Sequence, residues 1–380
     1  MYNRKDKAIA FLMISPSLIL LAIFVYFFIG QTAWYSVSDW GIDPATALKK
    51  GVEKNYVGLD NYHTLISSAS DYEFRLAFIS TFYFTIFFLS SCLILGFFLA
   101  FLLDQRIKGE GIFRTIFLFP MSLSFVVTGT IWNWLLKPKG GLNILPNKLF
   151  GTDPLEYKWL NSDTTLFKFE WLKGGTLFYL GIALFTFALF TYVAQKRNLS
   201  GFWVVIAGLV LWLISAAGFW DKIWVPIDDP VRDIGTYQGY GYSAALSGIV
   251  IAATWQMAGY VMALFLAGIR GISEELREAA RVDGCAEWQV YTRIILPQLR
   301  PIALSAIIIL GHISLKIFDL VYAMTGIDNK YVKVPGILML KGFRSNEWAR
   351  SSAVAMVMLF AISLVIIPYL WSNLRTEKQS

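Results

Sequence analysis

The residue types that usually carry bond chemistry are few in this chain and poorly grouped. Two histidines, His63 and His312, and two cysteines, Cys92 and Cys285, are all that its 380 residues offer. Cys92 lies within an apolar run and Cys285 in a polar loop far along the chain. Two such thiols make neither a disulfide framework nor a zinc site, which takes three or four ligands. The histidines fall in separate segments, and the sequence has no Gly-x-Ser-x-Gly elbow, His-Glu-x-x-His run or Gly-x-x-x-x-Gly-Lys-Ser/Thr phosphate loop. No cofactor, metal or catalytic set is therefore expected on this chain, and it does not read as an enzyme. The remaining chemistry is recognition. Asn133, Trp255, Gln256, Tyr260, Ser314, Lys316 and Asp319 all sit within long apolar runs. Inside a bilayer such polar groups are costly unless they face a bundle interior or a wet cavity. A lone charge at the centre costs about 2.5–3.5 kcal/mol.

The apolar runs dominate the composition. The chain is 56% hydrophobic, 16% aromatic and 16% charged, with mean hydropathy +0.56, whereas soluble domains carry about 25% charged residues. This excludes a disordered tail, a collagen-like repeat and an ordinary water-soluble enzyme. The net charge of +7 is not gathered into one stripe, so it does not mark a nucleic-acid binder. The reading is an all-α integral membrane protein of about eight transmembrane helices: 8–30, 76–103, 115–136, 175–195, 199–220, 244–268, 302–324 and 352–371. The first follows Arg4, Lys5 and Lys7 and lacks a small-residue cleavage site, so it reads as a retained anchor. With both termini inside (N-in/C-in), the inner stretches hold 15 Lys+Arg in 63 residues. The basic density of the outer stretches is about half of that, which favours this orientation. Gly140-Gly141 and Asp153-Pro154 mark turns in the outer loop 137–174, which like 31–75 reads as ordered surface.

The stretch 269–301 differs from everything around it. It reads as a short helix, a turn and a second short helix. Ser273 is placed to cap the first, and Glu274 and Glu275 suit its positive end. Ala279 and Ala280 favour helix and leave low relief, and Gly284 is a natural stop. The second helix is expected over about 286–296, ending at Pro297. Leu276, Ala279, Ala280 and Asp283 recur at helical spacing and form a narrow face, flanked by Glu275, Arg277, Glu278 and Arg281.

Glu278-Ala279-Ala280, Gly284, Ile294, Leu296 and Pro297 resemble, at every position and spacing, the cytoplasmic signature of permease subunits in ATP-binding-cassette importers. The resemblance extends over roughly 75–136 and 243–374. It includes Phe113-Arg114-Thr115, Leu118-Phe119-Pro120, Ile131-Trp132-Asn133-Trp134, Thr254-Trp255 and Phe318-Asp319-Leu320-Val321-Tyr322. These features look like carbohydrate importers of the maltose type. The resemblance implies a second permease subunit, two ATPase subunits that hold ATP-Mg, and an extracytoplasmic sugar-binding protein. It also implies that the signature loop seats in the ATPase and carries its motion. The six-helix family core is 8–30, 76–103, 115–136, 244–268, 302–324 and 352–371, so 175–195 and 199–220 form an inserted hairpin. The expected organisation is 1–75 as anchor and outer loop, 76–136 as core helices, 137–243 as outer loop with the hairpin, and 244–380 as core helices with the coupling loop 269–301.

A sugar presents hydroxyls and apolar ring faces, so recognition wants aromatic surface beside amide and hydroxyl groups. Gln256 and Tyr260 share a face of 244–268 at i, i+4, next to Trp255. Relatives place sugar contacts at the positions of Gln256, Met257 and Tyr260, of which only Tyr260 keeps the family residue type. Ser314 and Lys316 fall where relatives carry sugar-contacting or neighbouring polar residues. Lys316 and Asp319, at i, i+3, either pair with each other or meet the ligand. Asn133 is the hydrogen-bonding candidate of 115–136, in which Pro120 and Gly129 are possible bends. An ion-coupled secondary transporter or channel is the alternative, but Asp319 is the one carboxylate deep in a span and no internal repeat stands out.

Overall fold

The computed structural model describes residues 4–41, 54–67, 72–105, 107–155, 157–162, 164–168 and 241–377. The hairpin expected over 175–220 lies outside the described residues. Helices dominate. They are α1 (Arg4–Leu21), which passes through a π-turn (Ala22–Phe27) into α2 (Phe28–Ser36), then α3 (Asp60–Ser67), α4 (Tyr72–Asp104), α5 (Glu110–Leu118), α6 (Phe125–Leu135) and α7 (Leu145–Phe150). After them come α8 (Ala244–Arg270), α9 (Glu274–Val282), α10 (Glu287–Gln298), α11 (Arg300–Leu315), α12 (Asp319–Thr325), α13 (Pro335–Arg344) and α14 (Trp348–Glu377). One antiparallel ribbon departs from the all-α expectation. Strand β1 (Thr165–Lys168) pairs with β2 (Gly241–Ser243), joining Thr165 to Ser243, Phe167 to Tyr242 and Lys168 to Gly241 around an irregularity.

Phe11–Ser36, Tyr72–Asp104 and Ala244–Arg270 are each long and apolar enough to cross a membrane. Two further candidates are bent pairs rather than straight spans. Glu110–Ser122 and Phe125–Leu135 meet at 100°, and Glu287–Gln298 and Arg300–Leu315 at 65°. The expectation of one continuous helix over 115–136 is thus corrected. Pro120 sits in a short 3-10 turn, Phe119–Ser122, and the chain then runs extended through Leu123 (ψ 147°) and Ser124 (ψ 153°). Ser124 starts α6 by accepting a hydrogen bond on Oγ from the Val127 N–H at 3.3 Å. Gly129, a possible bend by sequence, instead lies where α6 packs on α12, against Ala323 and the Leu320 carbonyl.

The chain divides into two compact units. One comprises residues 75–334 with 365–380. At its centre α8 is buried over 67% of its most apolar window and packs on α5, the 3-10 turn, α6, α11 and α12. Its small residues Ala245, Ala252, Ala253 and Gly259 admit neighbouring backbones, as helix contacts in lipid require. A side chain at Gly259 would collide with the Phe117 carbonyl.

The other unit comprises residues 1–74 and 335–364. Here buried Asn61 donates through Nδ2 to the carbonyls of Ser36 (2.9 Å) and Ser38 (2.8 Å). The Lys54 ammonium lies 3.7 Å from the Trp40 ring centroid, Trp40 stacks on Trp348 at 5.2 Å, and Lys341 pairs with Glu73 at 2.8 Å.

The Gly259 contact has a testable consequence. Gly259→Ala should destabilise the purified protein by about 1–3 kcal/mol, the usual cost of overpacking, seen as earlier loss of the monodisperse species on heating. Gly311→Ala, with no atom within 4 Å of the added carbon, should not be destabilised. Equal behaviour of the two variants would contradict the contact.

Candidate functional site

The signature segment folds as an elbow. Ser273 occupies the N-cap of α9 (ψ 131°), but its side chain makes no capping hydrogen bond, against the sequence expectation. The other end closes as expected. Gly284 adopts φ +83°, its N–H donates to the Arg281 carbonyl at 3.0 Å, and the Cys285 N–H donates to the Ala280 carbonyl at 3.0 Å. This paired closure satisfies the last carbonyls of the helix and needs a left-handed residue. Pro297 does not end the second helix. Instead α10 widens into a π-turn over Val290–Ile295 and continues through Leu296–Gln298. A proline cannot donate to the carbonyl four residues back and crowds it, and the wider turn upstream relieves both defects.

The face that α9 turns inward is not the narrow face marked by the helical spacing. Arg277 and Ala280 are buried, while Leu276, Ala279 and Asp283 are exposed. The cause is a long-range ion pair. Arg277 Nη1 lies 3.0 Å from Asp104 Oδ2, with 9% and 8% of the two side chains exposed. Arg277 Nη2 also donates to the Ile269 carbonyl. The Tyr291 hydroxyl donates to the same Asp104 oxygen and accepts from Gln105 Nε2 at 3.1 Å. One carboxylate at the end of α4 thus holds both arms of the elbow. A second bridge crosses the turn: Arg281 lies 2.7 Å from Glu287 and 3.5 Å from Glu274. Beside it, Glu110 pairs with Arg270 at 2.7 Å and also with Arg114. The Arg270 hydrogen bond, with help from Arg114, holds the Glu110 carboxyl below the usual carboxylate range. On the outer side Leu276, Val282 and Trp288 are exposed, Val282 by 87%, alongside Glu278.

The polar residues of the apolar runs do not converge on one pocket. Gln256 is 2% exposed. Its Nε2 donates to the Leu123 carbonyl at 2.8 Å, the group freed by the break before α6, while its Oε1 has no partner among the described residues. Trp255 meets Trp132 edge-on at 5.9 Å, and Trp255, Met257 and Tyr260 are half-buried on α8. Ser314 is buried, accepts from Thr85 Oγ1 at 2.9 Å and donates to the Gly311 carbonyl at 2.8 Å. Of the two alternatives for Lys316 and Asp319, the mutual pair does not form. The helix stops at Leu315 and resumes at Asp319, both side chains are exposed, and no ion pair joins them among the described residues. The break puts the two charges at helix ends. Asn133 alone of these residues lines a cleft of about 610 Å³, with Lys137, Asn161, Tyr322, Thr325 and Asn329 among its walls.

Residues 108–376 match the family described as binding-protein-dependent transport system inner membrane component. The chain belongs to that family. As a permease component it is a multi-pass inner-membrane protein of an ATP-binding-cassette importer and not an enzyme, which sets aside the ion-coupled alternative. It is 30% identical to a probable ABC transporter permease protein of Pyrococcus horikoshii, across 100% of both chains. It is 29% identical to the xylose/arabinose import permease protein of Haloferax volcanii over 75% of this chain and 65% of that one. It is 24% identical to the trehalose/maltose transport system permease protein of Thermococcus litoralis over 85% and 78%. Its fold matches a chain of a bacterial ABC transporter that imports the acidic polysaccharide alginate, with TM-score 0.59 at 16% identity, covering 98% and 96% of the two chains. A second structure of alginate transporter with a pentasaccharide-bound periplasmic protein matches at TM-score 0.59 and 17% identity.

Sequence reasoning missed Asp104 and Tyr291 and placed Arg277 on a flank. The available signal was an arginine and a carboxylate, each just beyond the end of an apolar run. Because removing one partner strands a buried charge, Asp104→Ala should cost about 3–5 kcal/mol of stability in the permease. The double variant Asp104→Ala/Arg277→Met should recover most of that in thermal unfolding. A double variant as unstable as the single one would contradict the pairing.

Proposed function

We propose that this permease component forms half of a translocation path for a sugar, a monosaccharide or small oligosaccharide, delivered by an extracytoplasmic binding protein. Family membership and relatives named for xylose, arabinose, trehalose and maltose support the substrate class. In this reading the chain has both termini inside. Six core helices and the inserted hairpin make up the eight spans. Residues 1–75 supply the anchor and outer loop, 76–136 core helices, 137–243 the outer loop with the hairpin, and 244–380 core helices with the coupling loop 269–301. A second permease completes the path as a heterodimer, and two ATPase subunits bind ATP-Mg. Asn133, Trp255, Gln256, Met257, Tyr260, Ser314, Lys316 and Asp319 are the proposed path residues.

The single observation that carries the coupling role is the stiffness of the elbow. Its arms are tied to α4 through Asp104 and to each other across Gly284, while Leu276, Glu278, Val282 and Trp288 remain outside. A part that is rigid inward and bare outward is suited to passing a partner's movement into the bundle. Ala279 and Gly284 keep its outer profile low, Ala280 lets it sit close against the bundle, and Ile294, Leu296 and Pro297 continue it into α11.

Glu278→Lys and Gly284→Pro should leave membrane insertion and co-purification of the ATPase measurable while lowering ATP-driven sugar uptake by at least about tenfold, within the usual range of a coupling free energy. Wild-type uptake in both variants would remove the coupling role.

A further inference from the structure

The cleft beside Asn133 has features of a built recognition surface. Asn329 organises it. Its Oδ1 accepts from the Tyr331 and Val332 N–H groups at 2.8 and 2.9 Å, and its Nδ2 donates to the Leu160 carbonyl and Asn161 Oδ1, both at 3.2 Å. That leaves the Asn161 Nδ2 donor without a partner among the described residues. Asn133 is fixed in the same way: its Nδ2 donates to the Met324 carbonyl, and its Oδ1 has no partner there. Lys137 is a third unspent group, exposed and without an ion-pair partner among the described residues. Leu136, Leu160 and Met324 supply apolar wall, and no carboxylate lines the cleft among the described residues. Its volume falls in the range of small-molecule sites.

We infer that this cleft is a sugar seat, separate from the polar positions on α8 and α11. An amide oxygen that accepts, an amide nitrogen and an ammonium that donate, and apolar wall between them match a hydroxylated ring, whose hydroxyls both donate and accept around an apolar body. Each amide is oriented by its own second hydrogen bond, so little ordering is needed when a ligand arrives. Anchors and free groups come from α6, the segment after it and the turn following α12. The assignment rests on the importer reading only for the identity of the ligand as a sugar and for the outward aspect of the cleft.

The test places one reactive thiol at the cleft. Pro138→Cys lines it without removing any of the hydrogen-bonding groups, and Cys285→Ser removes the partly exposed native thiol. Right-side-out vesicles bearing the assembled importer, freed of binding protein, are treated with a membrane-impermeant maleimide. Maltose, xylose or glucuronate is added in turn, with proline as a non-sugar control. At least one sugar should slow labelling by about threefold or more, the factor expected with ligand at roughly twice its Kd. Asn161→Ala or Lys137→Ala should abolish that slowing while labelling without sugar stays unchanged. No protection by any of the three sugars, or equal protection by proline, overturns the inference. ATP-driven uptake, measured separately with binding protein present, keeps the readings apart. Uptake without protection sinks the seat and leaves the importer, whereas protection without uptake of any sugar does the reverse.

Discussion

The Arg277–Asp104 pair is the interaction on which the elbow depends. A guanidinium with 9% of its side chain exposed cannot remain there unpaired without a penalty of several kcal/mol. Asp104 answers that need at the end of α4, 173 residues away in sequence. Its second contact, from Tyr291, brings in the other arm. The angle between α9 and α10 is therefore set by one carboxylate oxygen in addition to the turn at Gly284. A displacement of either arm has to break this shared contact or carry α4 with it.

A second constraint governs the apolar interior: every backbone group freed by a break in a helix needs a partner. At the break between α5 and α6 the partner is Gln256, which spends one end of its amide on the Leu123 carbonyl. Near the end of α11 the Ser314 hydroxyl bonds back to the Gly311 carbonyl of its own helix and also joins Thr85 on α4. Polarity within an apolar run is thus put to two uses, supporting irregular backbone and meeting a solute. Gln256 shows the first use directly, and its Oε1, without a partner among the described residues, leaves room for the second.

The elements legible in the sequence were those whose causes are local. The long apolar runs of α4 and α8 and the stop at Gly284 need nothing beyond their own neighbours. The inward face of α9 was not legible, because periodicity ranks Arg277 as solvent-facing and cannot see Asp104. The interruption at Lys316–Phe318 was equally hidden, since neither proline nor glycine marks it, and two charges spaced i, i+3 read as a helical pair. Pro120 was read correctly as a disturbance, but the extended residues follow it at Leu123 and Ser124, where the backbone is caught by a side chain from another helix. The cleft around Asn133 depends on Asn161 and Asn329, drawn from segments that carry no pattern of their own.

The chemistry of the elbow's outer face separates two partners it could meet. An amphipathic helix resting on a membrane surface pairs its apolar side with lysine and arginine, which anionic headgroups attract. Here the basic side chains of α9 are already engaged, Arg277 with Asp104 and Arg281 with Glu274 and Glu287. The groups left outward on α9 are Leu276 and Val282 among Glu275, Glu278 and Asp283, with Trp288 of α10 exposed beyond the turn. Such a face is repelled by anionic lipid, while its apolar residues still require cover. The first span is different: Phe11, Leu12 and Met13 are exposed within a run, residues 8–38, that contains no acidic residue, as suits hydrocarbon. Exposed apolar surface on this chain therefore divides by its charged company, with lipid as the fitting neighbour of α1 and a protein groove able to answer carboxylates as the fitting neighbour of the elbow.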